Sequence, residues 1–191
     1  MYTAKNFSSL LGTPGLSDAL LHNHFTLYEG YVKNTNLLLE KLSSGETGTP
    51  EYTEFKRHFG WEFNGMRLHE LYFGNLNKIG QTLEKDSLLE QKLIHQFGTM
   101  EAWEKDFRAS GIMRGIGWVV LVYDKESDQL MNSWINEHDV GFLAGTIPLL
   151  VMDVFEHAYM GDYDIKRLDY IEAFFPIIDW KKVSQRFELC F

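Results

Sequence analysis

The segment Asp153-Val154-Phe155-Glu156-His157-Ala158-Tyr159 sets a carboxylate and an imidazole four residues apart, directly after the apolar run Ile147-Pro148-Leu149-Leu150-Val151-Met152. A carboxylate at the end of a buried strand must be paired, hydrogen-bonded or metal-bound, because desolvating a lone anion is too costly. Metal binding is the chemistry these residue types favour. Two further imidazoles, His24 and His69, lie on the apolar stripes of two helical patterns that read as an antiparallel hairpin, which brings both to one depth. A single histidine on an apolar face is more often a satisfied core residue. Two on neighbouring helices, joined by Asp153 and His157, make a four-donor set drawn from three elements. Three imidazoles and one carboxylate suit iron or manganese with one further position for solvent, lack the thiolates of structural zinc, and leave catalytic zinc open on ligand type alone. His22 and His58 read as peripheral, and His95 sits in a mixed helical segment without an evident partner.

The elements that must position these groups are legible from periodicity and punctuation. Ser17 and Asp18 can cap a helix whose apolar positions run from Leu20 through Tyr28, Tyr31 and Val32 to Leu39, ending near Leu42. Ser43 to Pro50 is a loop rich in Gly and small polar residues, and a second long pattern from Phe55 to Leu76 returns antiparallel, locally weakened by Gly60 and Gly65. Shorter helices follow between Leu83 and Phe107. Trp118 to Tyr123 is rich in β-formers, Asp124 to Asp128 is a turn, and Leu130 to Ile135 pairs back. Ile147 to Met152 makes a third strand. Ile165 to Phe187 is helical again, with breaks at Pro176 and Asp179. The expected class is α+β: an N-terminal helical hairpin (1–82) and a C-terminal α/β lobe (83–191) with a small three-stranded antiparallel sheet flanked by helices. The metal site falls between them.

A chain of 191 residues with 45% hydrophobic and 15% aromatic content can fill a core. Its net charge of −9 and the absence of a Lys/Arg cluster along the sequence argue against nucleic-acid binding. No stretch has the length of a membrane span, the first residues make a poor signal peptide, and the one cysteine, Cys190, cannot form an intrachain disulfide. A cytoplasmic location is expected.

From about Lys5 to Phe187 the chain resembles the iron/manganese superoxide dismutases. Asp153 to Tyr159 is similar to that family's Asp-x-Trp-Glu-His-Ala-Tyr motif, with Phe155 in place of Trp. His24 with Tyr31-Val32 resembles the first ligand region, one residue shorter than the family pattern; the gateway His is lost, and Tyr28 is the nearest substitute. His69, in the stretch Asn64 to Leu76, resembles the second ligand motif, and Gly115-Ile116-Gly117-Trp118 resembles Gly-Ser-Gly-Trp, which makes Trp118 an aromatic wall. The family's usual Gln beside the metal cannot come from Gly65, and His138, 15 residues before Asp153, fits the subset that carries His in the C-terminal hairpin.

The resemblance implies dismutation of superoxide by one iron or manganese ion per subunit, the choice of metal being left undecided. His24, His69, Asp153 and His157 are the implied ligands, and Tyr31, His138 and Trp118 the catalytic surroundings. Arg167 and Tyr28 are placed at the substrate entrance. Glu156 and Tyr159 are placed at a two-fold interface where Glu156 would bond the ligand His of the partner, implying a homodimer with tetramers as a further step. Two rival readings use the same residues: a metal-dependent hydrolase or oxygenase, and a non-catalytic member of the fold. A 2-His-1-carboxylate oxygenase leaves more open positions than this four-donor set. A non-catalytic member would be expected to lose ligands, and all four are here.

Overall fold

In the computed structural model, which describes residues 1–191, the first long helix begins where Ser17 accepts a hydrogen bond from the Leu20 amide at 3.1 Å. This helix, α1 (Asp18–Ser44), buries Leu20, Leu21, His24, Tyr28, Val32, Thr35 and Leu38 along one face. It runs two residues past the expected end, and the Gly45 amide closes it onto the Lys41 carbonyl. Helix α2 (Pro50–Phe73) starts with Thr49 as cap and Pro50 at its first position, where a missing N–H costs nothing. It returns along α1 without a break at Gly60 or Gly65.

The C-terminal part contains α3 (Leu88–Phe97) and α4 (Met100–Gly111), capped by Ser87 and Thr99. Strands β1 (Gly117–Asp124), β2 (Gln129–Asn136) and β3 (Ile147–Asp153) follow, forming one antiparallel sheet in the order β2-β1-β3. Central β1 is buried from Gly117 to Tyr123, which is why it reads as an unbroken apolar run rather than an alternating one. Its register sets Trp118 opposite both Ile135 and Asp153, so three elements end at one place. Gly117 is obligatory there: its φ is +152°, and a Cβ would lie 2.0 Å from the Ile135 carbonyl oxygen. After a 3-10 turn at Glu156–Ala158 come the short α5 (Met160–Tyr163), then α6 (Arg167–Phe174) and α7 (Trp180–Glu188). The α+β architecture and its three-stranded antiparallel sheet are as expected.

Hydrogen bonds tie the end of α2 to the sheet. Asn75, with no exposed surface, donates from Nδ2 to the Val151 carbonyl at 3.1 Å and accepts the Val151 amide at Oδ1 at 2.9 Å. Arg186 on α7 donates to Asn75, to the Leu149 carbonyl and to the Leu71 carbonyl near the end of α2. A side chain that satisfies both polar groups of an interior strand residue leaves two buried orphans when removed. Asn75→Ala is therefore expected to destabilise the fold by about 3 kcal/mol, read as a lower denaturation midpoint at unchanged m-value. A loss under ~1 kcal/mol would show that the strand finds other partners.

Candidate metal centre

His24 lies in the second turn of α1, His69 in the last full turn before α2 ends, Asp153 is the final residue of β3, and His157 sits in the 3-10 turn that follows. Each offers one donor atom, and the four donors lie within 4.8 Å of one another. Asp153 Oδ2 is the hub, 3.2 Å from Nε2 of His24, 3.2 Å from Nε2 of His157 and 3.6 Å from Nε2 of His69. The other carboxylate oxygen accepts the Phe155 amide at 2.9 Å.

The electrostatics of this cluster call for a cation. Burial alone would raise the Asp153 pKa, yet the imidazoles of His157 and His24 hold it well below the usual carboxylate range. Burial pushes the His24 and His69 pKa values down, favouring neutral rings. His69 donates from Nδ1 to the Gly65 carbonyl at 2.6 Å, so its Nε2 lone pair faces the cluster. That Nε2 is buried and has no hydrogen-bond partner. An orphaned nitrogen lone pair aimed at a carboxylate is repulsive until a positive charge stands between them. Three imidazole nitrogens and one carboxylate oxygen fit iron or manganese by donor type.

Around the four donors lies an aromatic cage. Tyr31 stacks on His69 with ring centroids 5.2 Å apart, Trp118 meets His69 edge-on at 4.9 Å, and Phe73 meets His24 edge-on at 4.8 Å. His138 is fully buried, stacked on Phe155 at 4.7 Å and met edge-on by Trp61 at 4.8 Å. It is delivered by the tight turn after β2, in which Glu137 takes a left-handed φ of +52°.

Both ring nitrogens of His138 are engaged. Trp118 Nε1 can only donate, and it faces His138 Nδ1 at 3.1 Å. Burial holds the His138 pKa down to about 4, so at neutral pH the ring is neutral and carries its hydrogen on Nε2. That nitrogen lies 2.7 Å from the Tyr31 hydroxyl. Tyr31 therefore accepts from His138 and keeps its own hydrogen for another acceptor. Gly65 makes this possible, since a Cβ there would come within 2.6 Å of the Tyr31 ring.

The remaining expected site residues are placed less directly. The Tyr28 hydroxyl donates to Glu70 at 3.1 Å and accepts the Lys5 amide at 2.9 Å, which turns it away from the four donors. Arg167 bonds the Met113 and Gly115 carbonyls, each at 2.7 Å, and the Tyr159 hydroxyl at 3.3 Å. Glu156 is exposed beside the partly exposed His157. Sequence reasoning missed Trp61, which sits two positions from the aromatic pair Phe59 and Phe63 without a distinguishing mark. It also missed Tyr170, whose hydroxyl donates to the Asp153 carbonyl at 2.7 Å and meets Tyr72 at 3.2 Å.

Residues 85–186 match the family model for iron/manganese superoxide dismutases, C-terminal domain. The chain is 36% identical over 180 residues to superoxide dismutase (Mn) 2 of Haloferax volcanii, covering 92% of this chain and 88% of that protein. It is 37% identical over 183 residues to superoxide dismutase (Fe) of Aquifex pyrophilus, covering 91% and 85%. With superoxide dismutase (Fe) of Cupriavidus metallidurans the identity is 35% over 179 residues, covering 91% and 89%.

The hydrogen-bond inventory makes a test that needs no metal. In metal-free protein at pH 7, ¹⁵N imidazole spectra should show His138 as the neutral Nε2–H tautomer, and an Nδ1–H signal would contradict the Trp118 contact. Gly65→Ala should displace Tyr31, costing ~1–3 kcal/mol in stability and shifting that His138 signal.

Proposed function

The chain belongs to the iron/manganese superoxide dismutase family, and from that premise we propose how its own residues serve the reaction. It is an oxidoreductase that converts two superoxide anions to dioxygen and hydrogen peroxide, using one bound iron or manganese ion per subunit. The chemistry supplied by that ion is one-electron cycling, by which one superoxide is oxidised and a second, with two protons, is reduced.

We assign the ion to His24, His69 and His157 through Nε2 and to Asp153 through Oδ2. The observation that carries this is the unpartnered Nε2 of His69, buried 3.6 Å from the Asp153 carboxylate. Asp153 contributes a negative charge that favours the higher oxidation state. The Gly65 carbonyl fixes the tautomer of His69 and raises its basicity as a ligand. His138 acts through Tyr31: it fixes the phenol as a hydrogen-bond acceptor on one side, so that the Tyr31 hydrogen is the proton available to the site. Trp118 closes the pocket and orients His138. Between the lobes, taken as 1–82 and 83–191, these contacts exclude bulk water. Arg167 provides positive charge near the loop at Gly115, and Tyr28 shapes the adjoining wall without presenting its hydroxyl.

We further propose that two copies pair across the face carrying Glu156, His157 and Tyr159. The exposure of Glu156 and of an edge of His157 supports this, as does the apolar Met160 nearby, 39% exposed. Reciprocal Glu156 to His157 bonds suit a two-fold interface, and tetramers would be a pairing of such dimers. No helix is long and apolar enough to cross a membrane. The net charge of −9 disfavours nucleic acid as a partner, and the single Cys190 accords with a cytoplasmic protein.

Reconstitution of metal-free protein separately with iron and with manganese should give one ion per chain and dismutation with at least one of them. Full loading without activity by either would defeat the catalytic reading, while His69→Ala protein that still holds a full equivalent of metal would defeat the ligand assignment. Glu156→Ala should raise the dimer dissociation constant at least ~10-fold, about 1.4 kcal/mol, in sedimentation experiments; an unchanged constant would remove Glu156 from the interface.

A further inference from the structure

Four cations converge on a cleft that contains none of the metal-binding residues. Lys5 and Phe7 come from the N-terminal segment, Arg67, Glu70, Leu71 and Gly74 from the end of α2, and Lys182 and Arg186 from α7, enclosing about 400 Å³. In a chain of net charge −9 with 18 Lys and Arg, such a group is unexpected: Glu70 is the one carboxylate lining the cleft, and Asp179, which caps α7 through the Lys182 amide, adds one further negative charge at longer range from Arg186. Glu70 is already committed. Its Oε2 accepts from Lys5 at 2.8 Å and Arg67 at 2.6 Å, and its Oε1 takes the Tyr28 hydroxyl.

The other two cations have no acidic partner within salt-bridge distance. Arg186 bonds only neutral oxygens, those of Asn75, Leu149 and Leu71. The Lys182 ammonium reaches only the Gln185 amide oxygen at 3.4 Å. Like charges brought together this way repel, and the repulsion is relieved by an anion with several acceptor oxygens. We propose that this cleft binds a phosphate dianion, free or as a monoester, held by Lys5, Arg67 and Lys182 with Arg186 behind them. A carboxylate would neutralise less of the excess and offers two oxygens rather than three or four. Donors that come from three separate chain segments match a tetrahedral anion better than a planar one. Phe7 and Leu71 add an apolar wall against which the organic part of a monoester can lie.

Calorimetric titration of the metal-loaded protein at low ionic strength, with inorganic phosphate and with adenosine monophosphate, tests this. Saturable binding at one site per chain is expected, competed by sulfate and weakened by added salt. Tighter binding of the monoester would assign the Phe7 wall to the organic group, and equal binding would assign the cleft to phosphate alone. The Lys5→Gln/Lys182→Gln double variant should bind at least ~10-fold more weakly, about 1.4 kcal/mol, with its dismutation rate unchanged. Lys182→Gln alone, which disturbs only the contact to Gln185, should also weaken binding and guards against a disordered N-terminal segment in the double variant. Absence of saturable binding, or equal affinity in wild type and both variants, overturns the proposal; the second result would place the anion elsewhere, as at the metal.

Discussion

The burial of one carboxylate governs this structure. Asp153 has no exposed surface and is ringed by three imidazole nitrogens at 3.2 to 3.6 Å. An unpaired anion in that position would cost several kcal/mol, so every element that touches it must supply a donor, a dipole or a route to a cation. The strand ends on it, the Phe155 amide and the imidazoles serve its oxygens, and Tyr170 secures its backbone carbonyl. The hairpin and the sheet cannot slide past one another without breaking this arrangement, because two of the imidazoles belong to the hairpin and the carboxylate belongs to the sheet.

The next layer depends on a single donor that has no choice. Indole nitrogen never accepts, so Trp118 dictates which nitrogen of His138 carries hydrogen, and His138 in turn dictates what the Tyr31 hydroxyl accepts. With both nitrogens used, His138 has no group left to present to the donor cluster. Its influence passes through one phenol. Trp61 and Phe155, which contact only the faces and edges of the His138 ring, thereby act on the same hydroxyl at one remove.

Much of this could be read from residue order, and the unread part has a common cause. Helix starts at Ser17, Thr49, Ser87, Thr99 and Asp179 obey local capping chemistry, and the apolar run of β1 declares a strand covered on both sides. The four donors stood out because histidine and aspartate are costly in apolar stripes. Trp61, Tyr170 and the Tyr28 hydroxyl did not stand out, because their roles depend on which residue lies across an interface many positions away. Gly65 shows the same limit in reverse. By propensity it weakens a helix, whereas in the fold it gives Tyr31 room and lets α2 run unbroken.

The seven-residue interval between His24 and Tyr31 follows from the same packing. Seven residues of regular helix turn through about 700°, which sets Tyr31 within ~20° of His24 and ~10.5 Å farther along α1. An interval of eight would rotate the phenol by about 80° unless the helix widened locally by one residue. Helix α1 is regular from Asp18 to Ser44, so seven is the interval that points both side chains at α2. The ring must then lie close against α2, and the residue beneath it can carry no side chain. A glutamine at position 65 is thus excluded by the spacing on the opposite helix, and the hydrogen-bonding partner of Tyr31 has to arrive from the sheet side. His138 fills that place because the turn after β2 can reach it.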